Sequence, residues 1–279
     1  MQMSLLVRGT AVILLGLSVL EGVGHAHGQG QEPALLVIGA SYSNAATPFD
    51  DNLNAPLGGT SVNVGSYLSL GNALVREHRL PGFVINEGQA GATTFARLGC
   101  FPGPACGPAG WQSYETMFLK ALARVTIPTN PVVYNAKYVV ITVANDCLHS
   151  DAFGVPQSQT TECTTTDVGH VVDRYVALGL LIRSKGLIPI YDVYPSYDDL
   201  NFPLFRSLVG LNWVIGRTTY ELLRNSHRTR IAAQVPGAVV LDIWKDFVDI
   251  GDGLHPNAAT AARAARRIAD KIHDLEDGT

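Results

Sequence analysis

Charge is scarce in this sequence. Of its 279 residues only 16% are Asp, Glu, Lys or Arg, and 20 basic side chains stand against 24 acidic ones. The basic residues are scattered, whereas a nucleic-acid footprint needs Lys and Arg clustered on one face, so no nucleic-acid partner is expected. Cysteine is also rare, at four residues, with no Cys-x-x-Cys pair and only His149 close to any of them. That spacing argues against a structural zinc site. Long hydrophobic runs are missing too. The one near the N-terminus, Ala11 to Leu20, is far shorter than the ~20 apolar residues that span a bilayer. No internal repeat, low-complexity tract or linker interrupts the chain.

What is present begins with a targeting pattern. Arg8 precedes the apolar run, and Gly24-His25-Ala26 places small residues where a signal peptidase cuts. Residues 1–26 are therefore expected to be a cleaved signal peptide, giving an exported chain, periplasmic or secreted. The even count of cysteines fits that compartment. Nearest-neighbour pairing, Cys100 with Cys106 and Cys147 with Cys163, is the expected disulfide set, each closing a short loop rich in Pro, Gly, Ser or Thr.

From residue 33 onward, apolar runs alternate with helical periodicity. Strands are expected at Ala34–Gly39, Phe83–Asn86, Lys137–Val143, Leu187–Val193 and Ala238–Ile243. Their unbroken apolar character is what a strand covered on both faces requires. Helices are expected over about Val62–Arg79, Val168–Lys185, Leu204–Gln234 and from Pro256 to Leu275, with Gly186 ending the second. Trp111, Tyr114, Phe118 and Leu122 should form one buried stripe. The pattern predicts a single α/β domain over residues 33–279: a three-layer α/β/α sandwich around a flavodoxin-like, mainly five-stranded parallel sheet.

In such a sheet the functional crevice lies at the carboxyl ends of the strands, and four segments there carry able chemistry. Gly39-Ala40-Ser41 offers a hydroxyl at a sharp strand exit. Asn86 to Thr94 includes Gly88 and Gly91, whose backbone N–H groups can face a developing oxyanion. Asn145 follows the third strand with a side-chain amide. Asp252-Gly-Leu-His255 precedes the last helix, with a carboxylate placed to orient an imidazole. Each alone has a plainer reading as a cap or turn. His78, His170, His227 and His273 fall in helical stretches and read most simply as surface residues.

Taken in order, these four segments resemble the SGNH hydrolases, the GDSL-like esterases and lipases, and they span Gly39 to His255, nearly the whole of the expected mature chain. The resemblance implies Ser41 as nucleophile, His255 as general base and Asp252 as its orienting acid. The oxyanion hole would be the amides of Ser41 and Gly91, with Gly88 as the fallback, and the Asn145 side chain. Asp146 would be structural. Ala40 replaces the family's usual Asp and Val143 its usual Gly, leaving every triad residue in place. The implied activity is hydrolysis of short or medium acyl or acetyl esters of a small-molecule, glycan or lipid substrate, needing no metal or organic cofactor. Two alternatives stand beside it: an O-acetyl-glycan deacetylase or acyltransferase using the same site, and an inactive α/β binding protein. Trp111, Tyr114, Phe202, Phe205 and Trp213 are candidates for an acyl pocket, although aromatics at helical spacing are more often core.

Overall fold

The computed structural model describes residues 33–43, 69–80, 82–89, 91–96, 112–149, 162–209 and 215–278, all within a compact unit of Gln31–Thr279. The expected signal peptide, the Cys100–Cys106 pair, Trp111 and Trp213 lie outside the described residues.

Among these residues, β1 (Ala34–Ile38), β2 (Val84–Asn86), β5 (Ala136–Ile141), β6 (Ile188–Asp192) and β7 (Val239–Leu241) form one parallel sheet in the order β2-β1-β5-β6-β7. Every residue of β1 is buried, as its continuous apolar run requires. A hairpin of β3 (Thr126–Ile127) and β4 (Val133–Tyr134) precedes β5. Helices α1 (Leu70–Val75), α2 (Tyr114–Arg124), α3 (Asp146–His149), α4 (Thr165–Ser184), α5 (Phe202–Val209), α6 (Arg217–Gln234) and α7 (Ala258–Asp277) complete the elements. The fold is the expected three-layer α/β/α sandwich. Helix α4 packs on α6 and α1 on α7.

Local sequence sets the helix starts. Ser69, Ser113 and Asn257 each accept the backbone N–H of the third residue of the helix that follows, and Thr164 forms a reciprocal capping box with Asp167. Gly186 follows α4 at φ 79°, the left-handed conformation that ends a helix without a Cβ penalty. Tyr114, Phe118 and Leu122 are buried on α2 as their spacing predicts. On α7, Ala261, Ala264, Ala265, Ile268 and Ile272 give the same helical stripe.

Two helix expectations are corrected. The stretch Leu204–Gln234 is not one helix: α5 ends at Val209, and α6 starts after Gly216, whose extended backbone caps it. Within Val62–Arg79 the described helix is only Leu70–Val75. Among the described residues no helix is long and apolar enough to cross a membrane.

Candidate active site

Sheet order fixes where a site can form. From β1 the chain passes to β2 on one side, while β5 pairs on the other. The crevice of a doubly wound sheet opens at such a reversal, beyond the strand carboxyl ends. Ser41 follows β1 and Asn145 follows β5, so the two flank this switch point.

The turn carrying Ser41 depends on Gly39. Its φ is 147°, and a Cβ there would stand 1.9 Å from Thr142 Oγ1, so no other residue fits. Ser43 closes the turn, donating through both its N–H (3.0 Å) and its hydroxyl (2.7 Å) to the Ala40 carbonyl. Asn86, at the end of β2, donates its side-chain amide to the Ser43 carbonyl at 2.6 Å. Ser41 itself is 7% exposed.

The Asp252–His255 pair has the geometry the sequence anticipates. Nδ1 of His255 lies 2.5 Å from Asp252 Oδ2, and both side chains are buried. The other carboxylate oxygen, Oδ1, accepts the N–H groups of Leu254 and His255, each at 2.8 Å. Three contacts from that carboxylate therefore fix the imidazole's position and orientation. The loop before it is equally determined. Asp249 accepts from Gly251 N and Gly253 N. The N–H of Asn201 donates to the Gly253 carbonyl at 2.8 Å, and a Cβ at Gly253 would collide with Asn201 O.

Tyr42 joins the two halves. Its hydroxyl donates to the Leu254 carbonyl at 2.7 Å, and its ring meets the His255 ring edge-on at 6.2 Å. Phe205 of α5 stands against His255 from another side, at 5.5 Å between ring centroids. Of the aromatics considered for an acyl pocket, Tyr114, Phe202 and Phe205 are all core residues, and Phe205 also stands beside the imidazole.

Asn145 faces the segment after β2. Both its backbone N–H and its side-chain Nδ2 donate to the Ala92 carbonyl at 3.2 Å, which leaves the second amide hydrogen for another acceptor. Asp146 accepts the Thr94 N–H at 2.8 Å and the Thr94 hydroxyl. Arg174 of α4 closes the cluster, donating Nε to Thr94 Oγ1 at 2.5 Å and Nη2 to Asp146 at 2.9 Å, with its guanidinium over the Phe95 ring. Asp146 thus clasps the glycine loop, the structural part expected of it. Gly91 occupies that loop with φ 75° and partial exposure. Gly88 is buried, its N–H donates to Asn86 Oδ1, and a Cβ on it would lie 2.1 Å from Ser43 Oγ.

Cys147, the residue after Asp146, is disulfide-bonded to Cys163. That half of the expected pairing is present and anchors the β5 exit to the start of α4.

Several neighbours escaped the sequence reading. Tyr42 was one, although it adjoins Ser41. Asp192 was another: it ends β6 and so sits at the same carboxyl edge as the other able residues. It is buried and accepts Trp244 Nε1 at 2.8 Å, its other oxygen has no hydrogen-bond partner, and burial pushes its carboxyl well above the usual carboxylate range. The Trp244 ring packs edge-on against Tyr42 at 5.0 Å. His227 is corrected outright. Far from being on the surface, it is fully buried in α6, both ring nitrogens lack partners, and burial lowers its pKa to about 3.

No protein-family model and no curated protein matches this sequence. Solved structures do. A carbohydrate acetylesterase family member from Sinorhizobium meliloti aligns with TM-score 0.51 and 14% identity over 87% of this chain and 98% of that one. A candidate arylesterase from Agrobacterium tumefaciens aligns at 0.52 and 16%, over 87% and 99%. A candidate acylhydrolase from Bacteroides fragilis aligns at 0.50 and 11%, over 91% and 97%. The fold is that of the SGNH hydrolases. At these identities the likeness extends to architecture, and the chemistry must be argued from the site itself.

Proposed function

We propose that this chain is a serine esterase that hydrolyses carboxylic esters through an acyl-enzyme on Ser41. The observation that carries the reading is the buried Asp252–His255 pair, tied through Tyr42 to the loop that presents Ser41. Asp252 holds Nδ1 of the imidazole, and Nε2 is the nitrogen that would take the proton from Ser41. A serine hydroxyl is a weak nucleophile until a base removes that proton.

In this mechanism Ser41 Oγ attacks the ester carbonyl while His255 accepts its proton. The tetrahedral oxyanion is held by the N–H groups of Ser41 and Gly91 and by the second amide hydrogen of Asn145. His255 then protonates the departing alcohol, leaving an acyl group on Ser41. Water deprotonated by His255 attacks that acyl group, and collapse of the second tetrahedral intermediate releases the acid. Gly91 is preferred to Gly88 because it sits in the Ala-Gly-Ala-Thr segment that matches the second block of the SGNH hydrolases, while Gly88 is packed under Ser43. No step needs a metal or organic cofactor.

The substrate is read as a short or medium acyl ester or an acetyl ester, on a chain exported after removal of residues 1–26. A p-nitrophenyl ester series from acetate to palmitate, with Ser41→Ala as control, tests both activity and acyl length. Turnover that depends on Ser41, together with fluorophosphonate labelling at that residue, supports the esterase. Labelling with no turnover on any simple ester redirects the search to O-acylated glycans. Absence of labelling on folded protein refutes an activated serine.

A further inference from the structure

Beyond Ile141 the chain leaves β5, with Thr142 N–H still donating to Ile38 O of β1 at 3.1 Å, and it presents the carbonyls of residues 142–144. Three buried tyrosines take them over in succession. Tyr175 of α4 donates to Thr142 O at 3.4 Å, Tyr114 of α2 to Val143 O at 3.1 Å, and Tyr194, two residues after β6, to Ala144 O at 3.1 Å. The last two lie just beyond the usual O–H···O range of about 2.5–3.0 Å and the first well beyond it.

The Ala144 carbonyl and the Asn145 N–H belong to one planar peptide unit. Tyr194 holds its oxygen, and the Ala92 carbonyl accepts its hydrogen at 3.2 Å. The unit is therefore pinned along both edges, and Tyr114 pins the unit before it. Rotation about either peptide would carry the Asn145 side chain off Ala92 O and away from the crevice. The tyrosines are themselves braced: Tyr114 meets Tyr175 edge-on at 6.0 Å, and His227 packs against Tyr175 at 4.6 Å and Tyr194 at 5.4 Å. Each hydroxyl comes from a separate segment of the fold, so the loop cannot shift without moving the core.

We infer that Tyr114 and Tyr194 are positioning residues for the oxyanion donor Asn145, holding its amide in place before substrate arrives. The inference rests on the esterase reading above. Donors act on a developing charge most strongly when they need no rearrangement, and this cradle supplies that constraint from outside the crevice. Burial pushes both phenols above their ordinary range, so they remain donors throughout the working pH range.

The experiment is a cycle. Tyr114→Phe, Tyr194→Phe and the pair are each made in the wild-type and Asn145→Ala backgrounds, with kcat and KM measured on p-nitrophenyl acetate and folding checked by circular dichroism. The paired variant should lose about 10- to 100-fold in kcat with KM little changed, less than the ~10²–10³ of removing a donor outright. In the Asn145→Ala background the same pair should cost less than about twofold, since residues that act through one group are not additive. Unchanged kcat beside a lowered Tm, or an equal loss in both backgrounds, overturns the inference. If the pair does not fold, the single variants carry the same comparison. Fluorophosphonate labelling of the wild type separates the two levels: without Ser41 labelling the esterase reading fails and the inference with it, whereas labelling combined with additive losses rejects the tyrosines alone.

Discussion

Tyr42 donates its hydroxyl to the carbonyl of Leu254 across 212 positions of sequence, at 2.7 Å. One partner adjoins Ser41 and the other adjoins His255, so a single hydrogen bond ties the loop of the candidate nucleophile to that of its candidate base. The Tyr42 ring adds contacts with Trp244, Phe247 and His255, which keep the aromatic cluster assembled without help from the hydroxyl.

Tyr42→Phe separates these two contributions. The ring stays, the tether goes, and the buried Leu254 carbonyl loses a donor, a change that costs about 1–3 kcal/mol of stability. Small misplacements of catalytic groups cost up to about 10²-fold in rate, so kcat on p-nitrophenyl acetate should fall about 10-fold or more with KM nearly constant. A lowered Tm with unaltered kcat would show that the bond only stabilises the fold.

Much of this arrangement was legible in the sequence. A parallel sheet demands unbroken apolar runs, and those runs marked all five of its strands. The crevice rule then drew attention to the segments carrying Ser41, Asn145, Asp252 and His255, and the resemblance to the SGNH hydrolases supplied their expected roles. What stayed hidden depends on distance. Nothing local announces that Tyr114, Tyr175 and Tyr194 reach three successive carbonyls, or that Tyr42 reaches Leu254. The β3–β4 hairpin was missed because its strands have two residues each and leave Ile127 and Val133 largely exposed. Two of the corrected features do carry a local signal. Gly210 and Gly216 sit inside the stretch read as one long helix, and Gly216 does cap α6. His227 lies on the stripe Tyr220, Leu223, His227, Ile231, whose helical spacing placed it inside despite the polar residues around it.

His227 should make the protein acid-sensitive. Its folded pKa is lowered to about 3, against an ordinary value of 6.5. The unfolded chain therefore takes up the proton first, and stability is full above pH 6.5 and lost as pH falls toward 3. The difference reaches about 2 kcal/mol at pH 5. His227→Leu removes that dependence along with two unpaired buried nitrogens. Denaturant unfolding at pH 7.5 and pH 5 should show the wild type losing about 2 kcal/mol more than the variant. Equal losses would mean that the imidazole finds a partner or accepts its proton in the folded state.

Asp192 should act in the opposite direction. Its carboxyl is raised by burial, which outweighs the opposing pull of Trp244 Nε1 and of the Val143 and Asp192 backbone N–H groups. A raised carboxyl keeps its proton in the folded chain after the unfolded chain has released it. Its contribution is therefore complete below the unfolded carboxyl pKa and declines as pH rises toward the folded value. Asp192→Asn keeps the shape and an oxygen for Trp244 but has no proton to release. The variant should be more stable than wild type at pH 7.5, and the advantage should shrink toward pH 4. Each kcal/mol corresponds to roughly 2–4 °C in Tm for a domain of 150–250 residues, well within calorimetric reach. Because Trp244 packs on Tyr42 rather than on the reacting groups, kcat should change far less than in Tyr42→Phe. A Tm difference independent of pH would place the Asp192 pKa at its unfolded value, and a loss of Tm at pH 7.5 would show a carboxylate that the fold accommodates as an anion.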